Sequence, residues 1–263
     1  MKKTIYILLI IFSFTSCSKY QKILKNSDND YKFEMAKNYY KDKDYFRALP
    51  LFDELKLYFS GSEKAEEVYY YLAYTHYGLS EYLVASYHFK SFATTFPNSK
   101  KTEEMSYMYA YCFYLESPAY SLDASYTIKA IEELQYFIEK FPTSNRIDTC
   151  NTLIDNLRGK LEKKSFSIAK QYYNTENYKS AVVAFNNLIN DYPDTDYSEE
   201  IYFLILKSNY QLAIKSIYSK QKERYKGTIA SHNIFINKYP NSGRMDEANN
   251  IYTKTIKKLE NFK

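Results

Sequence analysis

Histidine, cysteine and glycine, around which metal, nucleophile and phosphate sites are built, are scarce in this chain. It has five glycines in 263 residues, and they form no Gly-rich phosphate loop. None of the three histidines has a Cys or His neighbour at the spacing of zinc ligands. These histidines are His76, His88 and His232. The sequence therefore predicts no catalytic site, no metal site and no cofactor, and we expect a protein that is not an enzyme.

Paired glutamates are the remaining candidates for acid–base chemistry. Each pair lies in the first turn of a predicted helix, where a carboxylate interacts favourably with the helix dipole. That interaction explains the pairs better than catalysis does. The pairs are Glu66-Glu67, Glu103-Glu104 and Glu199-Glu200.

The first 16 residues have the pattern of a secretory signal peptide. The basic start Met1-Lys2-Lys3 precedes an apolar run from Thr4 to Phe14, and small residues follow as far as Ser16. The run is too short for a membrane-spanning helix, which needs about 20 apolar residues. We therefore expect residues 1–16 to direct export and to be removed.

The Thr-Ser-Cys sequence that ends at Cys17 resembles a bacterial lipobox. The resemblance implies that Cys17 is acylated and becomes the first residue of an outer membrane lipoprotein that faces the periplasm. Phe14 stands where that pattern prefers leucine. An ordinary cleaved signal with an incidental cysteine is the alternative. Residues 17–29, mostly polar, are predicted to be the lipidated tether.

Charge and cysteine content exclude further classes. The formal net charge of +5 is mild, and no basic cluster indicates nucleic acid binding. Cys112 and Cys150 occupy apolar positions of predicted helices, where a buried free thiol is expected. A disulfide is the alternative that an exported protein permits.

Two stretches of the chain carry equivalent residues at identical spacing. Small, small, aromatic, apolar and proline residues follow one another at intervals of twelve, four, three and five. This pattern is typical of a tetratricopeptide (TPR) helix–turn–helix unit. The two sets are Ala73, Ala85, Phe89, Phe92, Pro97 and Ala169, Ala181, Phe185, Leu188, Pro193. We therefore predict an all-α, TPR-like solenoid of helical hairpins.

Five hairpins are expected, three within residues 30–142 and two within 143–263. The third is stretched by eight residues near Glu116 to Tyr126, and the fourth begins with a long linking helix over 145–174. In the fifth we expect an elongated first helix or loop. A final helix from Met245 to Leu259 is predicted to be the capping helix that a terminal repeat needs.

Four hairpins end in an aromatic residue, a proline and two residues of the Ser, Thr, Asn or Asp type. Proline stops the helix, and the polar side chains are expected to cap the next one. The four segments are Phe96-Pro97-Asn98-Ser99, Phe141-Pro142-Thr143-Ser144, Tyr192-Pro193-Asp194-Thr195 and Tyr239-Pro240-Asn241-Ser242.

The chain contains 32 tyrosines, and some of them recur at fixed positions of the first helices. In TPR proteins the groove positions lie three before, one after and four after the small residue of the first helix. We call these the −3, +1 and +4 slots. The nine peptide-groove candidates are Phe33, Lys37, Tyr40, Tyr70, Tyr74, Tyr77, Tyr107, Tyr111 and Tyr114. Hairpin four has Phe166, Lys170 and Tyr173 in these slots. Tyrosine suits adaptable peptide recognition because it has a large apolar face and a polar tip. Packing against neighbouring helices is the alternative.

The lipobox, the short tether, five hairpins and the chain length together resemble the outer membrane assembly factor BamD family. The residues that carry the resemblance are Ala36, Phe52, Tyr74, Ala85, Phe96-Pro97, Ala169, Ala181 and Tyr192-Pro193-Asp194-Thr195. The resemblance implies a lipoprotein of the β-barrel assembly machinery that binds unfolded outer membrane proteins and a BamA-like barrel protein. It places client recognition on the N-terminal repeats and the BamA contact on the C-terminal ones. A TPR lipoprotein that organises cell-wall or division complexes is the rival from another class.

Overall fold

The computed structural model describes residues 19–262, which form α-helices joined by turns and contain no strand. Residues 1–18, and with them the predicted signal peptide and Cys17, lie outside this described part. A short helix, α1, spans 19–24. The following helices are α2 (Asn29–Lys41), α3 (Tyr45–Tyr58), α4 (Ala65–Gly78), α5 (Tyr82–Thr95), α6 (Thr102–Glu116), α7 (Ser125–Lys140), α8 (Ile147–Asn174), α9 (Tyr178–Asp191), α10 (Ser198–Ile214), α11 (Tyr218–Lys238) and α12 (Met245–Glu260). The all-α prediction is confirmed. Along 19–262, no helix combines the length and apolarity needed to cross a membrane.

Five consecutive hairpins, from α2–α3 to α10–α11, precede the last helix. The residues that fill the repeating small and aromatic slots are buried, because two helices meet closely there. In the second hairpin, for example, Ala73, Ala85 and Phe89 have no exposed surface. The same holds for Ala169, Ala181 and Phe185 in the fourth. The TPR-like helical-hairpin solenoid is therefore the fold of the described chain.

The chain divides into two compact units. One comprises the chain up to Pro118 together with Asp123–Leu157, and the other comprises Ala119–Leu122 and the residues from Arg158 onward. The division falls within α8, whereas counting repeats places a boundary after residue 142. Unit one contains α1 to α7 and the first part of α8, and unit two contains α9 to α12 and the rest of α8.

Three hairpin turns share one backbone conformation that does not involve glycine. Lys43, Ser80 and Glu176 have φ values of 58°, 60° and 62°, in the left-handed region. In each turn the next residue donates its N–H to a carbonyl five residues earlier, as in a Schellman motif. These bonds join Asp44 to Tyr39, Glu81 to His76 and Asn177 to Tyr172. The turns therefore direct three second helices back along their first helices in the same way.

The two irregular hairpins lengthen in different ways. In the third, the extra residues form a loop over 117–124, where Pro118 prevents helix continuation, as predicted. In the fifth, α10 has 17 residues and α11 has 21, against 14 in α5 and α9. The expectation of an elongated first helix or loop was therefore incomplete, because most of the extra length belongs to the second helix.

The polar residues after each proline do not cap the following helix in the predicted way. Ser99, for example, accepts a hydrogen bond from the N–H of Lys101, which itself precedes α6. Its hydroxyl donates to a carboxylate of the preceding hairpin, Glu66, at 2.8 Å. The arrangement recurs four times, so these residues join one hairpin to the next. The four pairs are Ser99–Glu66, Ser144–Glu103, Thr195–Glu162 and Ser242–Glu199.

Candidate functional site

All nine groove candidates lie on the first helices of unit one, three each on α2, α4 and α6. Two of them are core residues, since Phe33 is 2% exposed and Tyr107 is 7% exposed. The other seven are half-buried. Comparing each slot across all five hairpins separates candidates that the scaffold requires from those that it does not. In hairpin five the slots are counted from Leu206, which takes the place of the small residue. It lies eight residues after the start of α10, as Ala73 and Ala110 lie eight residues after the starts of α4 and α6.

The −3 slot is covered by the next repeat. In hairpins two to five, the residue just before the following helix places its side chain over the ring in this slot. Lys101 Nζ lies 4.6 Å from the ring centroid of Tyr70, and the Arg146 guanidinium lies 4.6 Å from that of Tyr107. Unit two repeats the contact with Tyr197 stacked on Phe166 and Arg244 over Phe203. The −3 aromatics are therefore part of the contact between hairpins and not an open face.

The +4 slot holds tyrosine in every hairpin. In three of them this ring packs edge-on or tilted against the tyrosine that begins the second helix, at 5.5 to 5.8 Å between centroids. The +4 residues are Tyr40, Tyr77, Tyr114, Tyr173 and Tyr210. A residue type common to all five repeats, with the same packing partner in three, is explained by the scaffold.

The +1 slot forms a polar link to the next repeat. In hairpins one, two, four and five its side chain contacts the second acidic residue at the start of the following helix, so these carboxylates do more than interact with the helix dipole. Lys170 Nζ lies 2.9 Å from Glu200, and Lys207 Nζ lies 2.8 Å from Glu247. The four links are Lys37–Glu67, Tyr74–Glu104, Lys170–Glu200 and Lys207–Glu247.

Tyr74 and Tyr111 are the exceptions in this slot. Lysine makes the link in three hairpins, so the scaffold does not require an aromatic ring there. Tyr74 donates its hydroxyl to Glu104 and packs 4.8 Å from Tyr70, while Tyr111 stacks between Tyr107 and Tyr114 at 5.7 and 5.6 Å. We call Tyr74 and Tyr111 the aromatic pair. They are the candidates that inter-repeat packing explains least.

The phenols of Tyr70, Tyr74 and Tyr77 are uncharged at neutral pH because the pKa of each is raised. Burial, reinforced by the Glu104 carboxylate, raises the pKa of Tyr74 far above its usual value. Burial also raises the pKa of Tyr70, again helped by Glu104. Burial raises the pKa of Tyr77, and the nearby phenol of Tyr111 on the next first helix raises it further. The site therefore presents ring faces and neutral hydroxyls, chemistry that suits an extended peptide.

The remaining chemically reactive side chains of unit one are protected. Cys112 and Cys150 are buried free thiols, as expected from the sequence. Burial raises the pKa of Cys112 to about 12 and that of Cys150 to about 11, so neither supplies a thiolate at neutral pH. Within residues 19–262, no group of three or more His, Cys, Asp or Glu side chains is placed to hold a metal ion.

Sequence reasoning missed the acidic partners of the +1 slot. Glu67 and Glu104 were interpreted through the helix dipole alone, although they lie six residues before Ala73 and Ala110. That fixed offset, together with lysine in the +1 slot of hairpins one and four, was a signal for a charge link between consecutive repeats.

Comparison with protein families gives the decisive similarity. The model of the family YfiO, described as an outer membrane lipoprotein, matches residues 25–224. The chain belongs to this family. The match spans well over half of the chain and covers both units, including the aromatic pair.

Other comparisons add less. No curated protein matches the chain. Among solved structures it is similar to a putative kinesin light chain from Podosopora anserina with nearly identical TPR-like repeats, at 11% identity over 76% of this chain and 92% of that chain. The TM-score is 0.34.

Proposed function

We propose that this outer membrane lipoprotein is a non-catalytic scaffold of the β-barrel assembly machinery. In this role the first three hairpins bind unfolded outer membrane proteins, and the C-terminal hairpins contact a BamA-like barrel protein. Membership in the YfiO family supports a role in outer membrane assembly. The finer assignment rests on one observation, the aromatic pair in a slot where the other repeats carry lysine.

The clients' chemistry fits the aromatic pair. Strands of outer membrane barrels alternate apolar and polar residues and carry aromatic girdles. Before insertion, their backbone groups are unpaired and their rings are exposed. Tyr74 and Tyr111 offer ring faces for the girdle residues, and neighbouring hydroxyls offer partners for the backbone.

The test replaces the aromatic pair by the residue that the other repeats use. In the double variant Tyr74→Lys, Tyr111→Lys, the first lysine is expected to pair with Glu104 as Lys170 pairs with Glu200, so the hairpins remain folded. Two lost ring contacts at about 0.5–1.5 kcal/mol each predict a loss of affinity between about fivefold and somewhat over a hundredfold. A fluorescent peptide from the C-terminal strand of a barrel protein is titrated into both proteins.

A second double variant provides the control. Tyr58→Ala, Tyr87→Ala removes two tyrosines from the second helices of the same unit, where they are 63% and 64% exposed. It should bind the peptide as wild type does, and wild-type binding should change little with salt because the contact is not ionic. Equal affinities for the aromatic-pair variant and wild type, with both folded by circular dichroism, would exclude the groove and leave the tyrosines as packing.

We also propose that Cys17 carries the lipid anchor. The basic, apolar, small and cysteine order before it supports this assignment. We expect Cys17→Ala to leave unprocessed precursor and to lose the outer membrane fraction, as seen by immunoblotting of fractionated envelopes. A Cys17→Ala protein that stays with the outer membrane after a high-salt wash would contradict anchoring by lipid.

A further inference from the structure

Residues 19–24, within the segment predicted to be a tether, form the short helix α1, which is fixed against hairpin one and determines where the chain leaves the domain towards Cys17. Ile23 is buried in the core of this hairpin, at 6% exposure. The Tyr20 hydroxyl donates to the backbone carbonyl of Arg47 at 3.0 Å, and its ring meets Tyr39 edge-on at 5.7 Å. Tyr39 and Arg47 flank the turn between α2 and α3. The beginning of α1 therefore lies at the turn end of hairpin one.

Cys17 is close to this end of the hairpin in sequence. Lys19, the first described residue, follows Cys17 by two positions. Two residues span at most about 7 Å. If Cys17 carries an acyl chain, as proposed above, the bilayer surface must lie within a short distance of the α2–α3 turn.

That turn carries exposed groups suited to a lipid surface. Phe46, in the first turn of α3, is 81% exposed, the largest exposed fraction of any large apolar side chain in the described chain. The corresponding residue of hairpin two, Leu83, is 40% exposed. At that exposure Phe46 contributes little to the packing of hairpin one.

The charges around Phe46 have the sign that attracts anionic lipid. Lys19, Lys41 and Lys43 are exposed there, against one exposed carboxylate, that of Asp42. The other carboxylate of the turn, Asp44, is neutralised by Arg47 at 2.9 Å. An exposed aromatic ring among lysines is the usual composition of a segment that enters the bilayer interface.

We propose that the turn end of hairpin one contacts the membrane surface. Phe46 enters the interface between headgroups and acyl chains, and Lys19, Lys41 and Lys43 contact anionic headgroups. Unit one is then held against the bilayer by two points, the lipid on Cys17 and this turn. The proposal rests on the lipid anchor at Cys17 but not on any client or partner of the groove.

The chain contains no tryptophan, so a single introduced tryptophan reports on its own surroundings. Phe46→Trp tests the turn end. Leu57→Trp is the matched control, because Leu57 is 80% exposed on the same helix. It lies eleven residues further along, about 16 Å at the helical rise per residue. Each full-length, acylated variant is reconstituted into vesicles of phosphatidylcholine and phosphatidylglycerol whose acyl chains carry bromine near the headgroup.

We expect the Trp fluorescence of the Phe46→Trp protein in vesicles to lie at shorter wavelength than that of the Leu57→Trp protein, and to be quenched by the brominated lipid. The Leu57→Trp protein should keep the intensity that it has in unbrominated vesicles. Quenching of both variants, or of neither, would overturn the proposal. The tendency of tryptophan itself to enter the interface is controlled, since it is present in both.

Two further readings complete the test. Vesicles of phosphatidylcholine alone should quench Phe46→Trp less, because the lysines then meet no anionic headgroup, and equal quenching would exclude the charge contribution. Flotation of the same vesicles on a density gradient tests the anchor separately. A protein that floats without quenching contradicts the turn-end contact alone, and one that does not float contradicts the anchor on which the proposal rests.

Discussion

At the scale of single residues, the repeats of this chain serve as controls for one another. Lysine and tyrosine both link the +1 slot to a glutamate of the next repeat, as Lys170 does with Glu200 and Tyr74 with Glu104. Either type can therefore make the link, and the choice of tyrosine needs another reason. By the same comparison, the tyrosines of the +4 slot need none beyond packing.

His88 predicts a loss of stability in acid. It is buried on α5, its Nδ1 has no hydrogen-bond partner, and its ring stacks 4.8 Å from that of His76 on α4, with Lys56 on α3 and Tyr87 beside it. Burial, then the charges of His76 and Lys56, lowers the pKa of His88 to about 4. Between about pH 6.5 and pH 4, this histidine is protonated in the unfolded chain but neutral in the folded protein. The free energy of unfolding therefore falls as the pH decreases from about 6.5 towards 4.

We expect His88→Phe to reduce this acid-dependent loss by about 1–2 kcal/mol. Urea unfolding of both proteins at pH 7.5 and pH 4.5 measures the difference. Equal losses in the two proteins between these pH values would show that other groups cause the acid sensitivity.

At the scale of helices, the packing of neighbouring hairpins determines whether a glycine position has room for a Cβ atom. Gly78, the last residue of α4, faces the Tyr45 ring of the preceding hairpin, and an added Cβ would lie 2.4 Å from it. Gly159, within α8, has no neighbour within 4 Å of the same added atom. One substitution therefore has opposite consequences at these two positions.

We expect Gly159→Ala to raise the free energy of unfolding by about 1 kcal/mol, because alanine favours the helix. Gly78→Ala should lower it by about 1 kcal/mol, because the Tyr45 ring must leave its contact with Tyr40, 5.5 Å away. Thermal unfolding followed by circular dichroism measures both. Stabilisation by both substitutions would mean that Tyr45 moves aside without cost.

The helices were largely predictable because small and apolar residues recur at helical spacing. The linking helix was expected over 145–174 and is observed at Ile147–Asn174. The three left-handed turns were not predicted, because Lys43, Ser80 and Glu176 lack the usual glycine and only the surrounding hydrogen bonds select the conformation. The burial of Phe33 and Tyr107 was also missed, because it depends on contacts that form only between packed helices, such as that of Arg146 with Tyr107.

At the scale of the whole molecule, the chain is a helical-hairpin protein of an outer membrane lipoprotein family. Every repeat is joined to its neighbour by a hydroxyl bonded to a glutamate, by a +1 side chain that contacts a glutamate, or by both, so stability is shared along each unit. Such a surface of repeated elements favours protein binding over catalysis. The family leaves two envelope roles to distinguish, barrel assembly and the organisation of cell-wall or division complexes.

The most direct measurement is co-purification of the protein from envelopes solubilised in mild detergent, with bound proteins identified by mass spectrometry. A role in barrel assembly predicts recovery of a large BamA-like barrel protein in a stable ratio to the bait. The same barrel protein should be recovered with the aromatic-pair variant, because that variant alters only the proposed client groove. Recovery of cell-wall synthases or division proteins, with no barrel protein, would contradict the assignment.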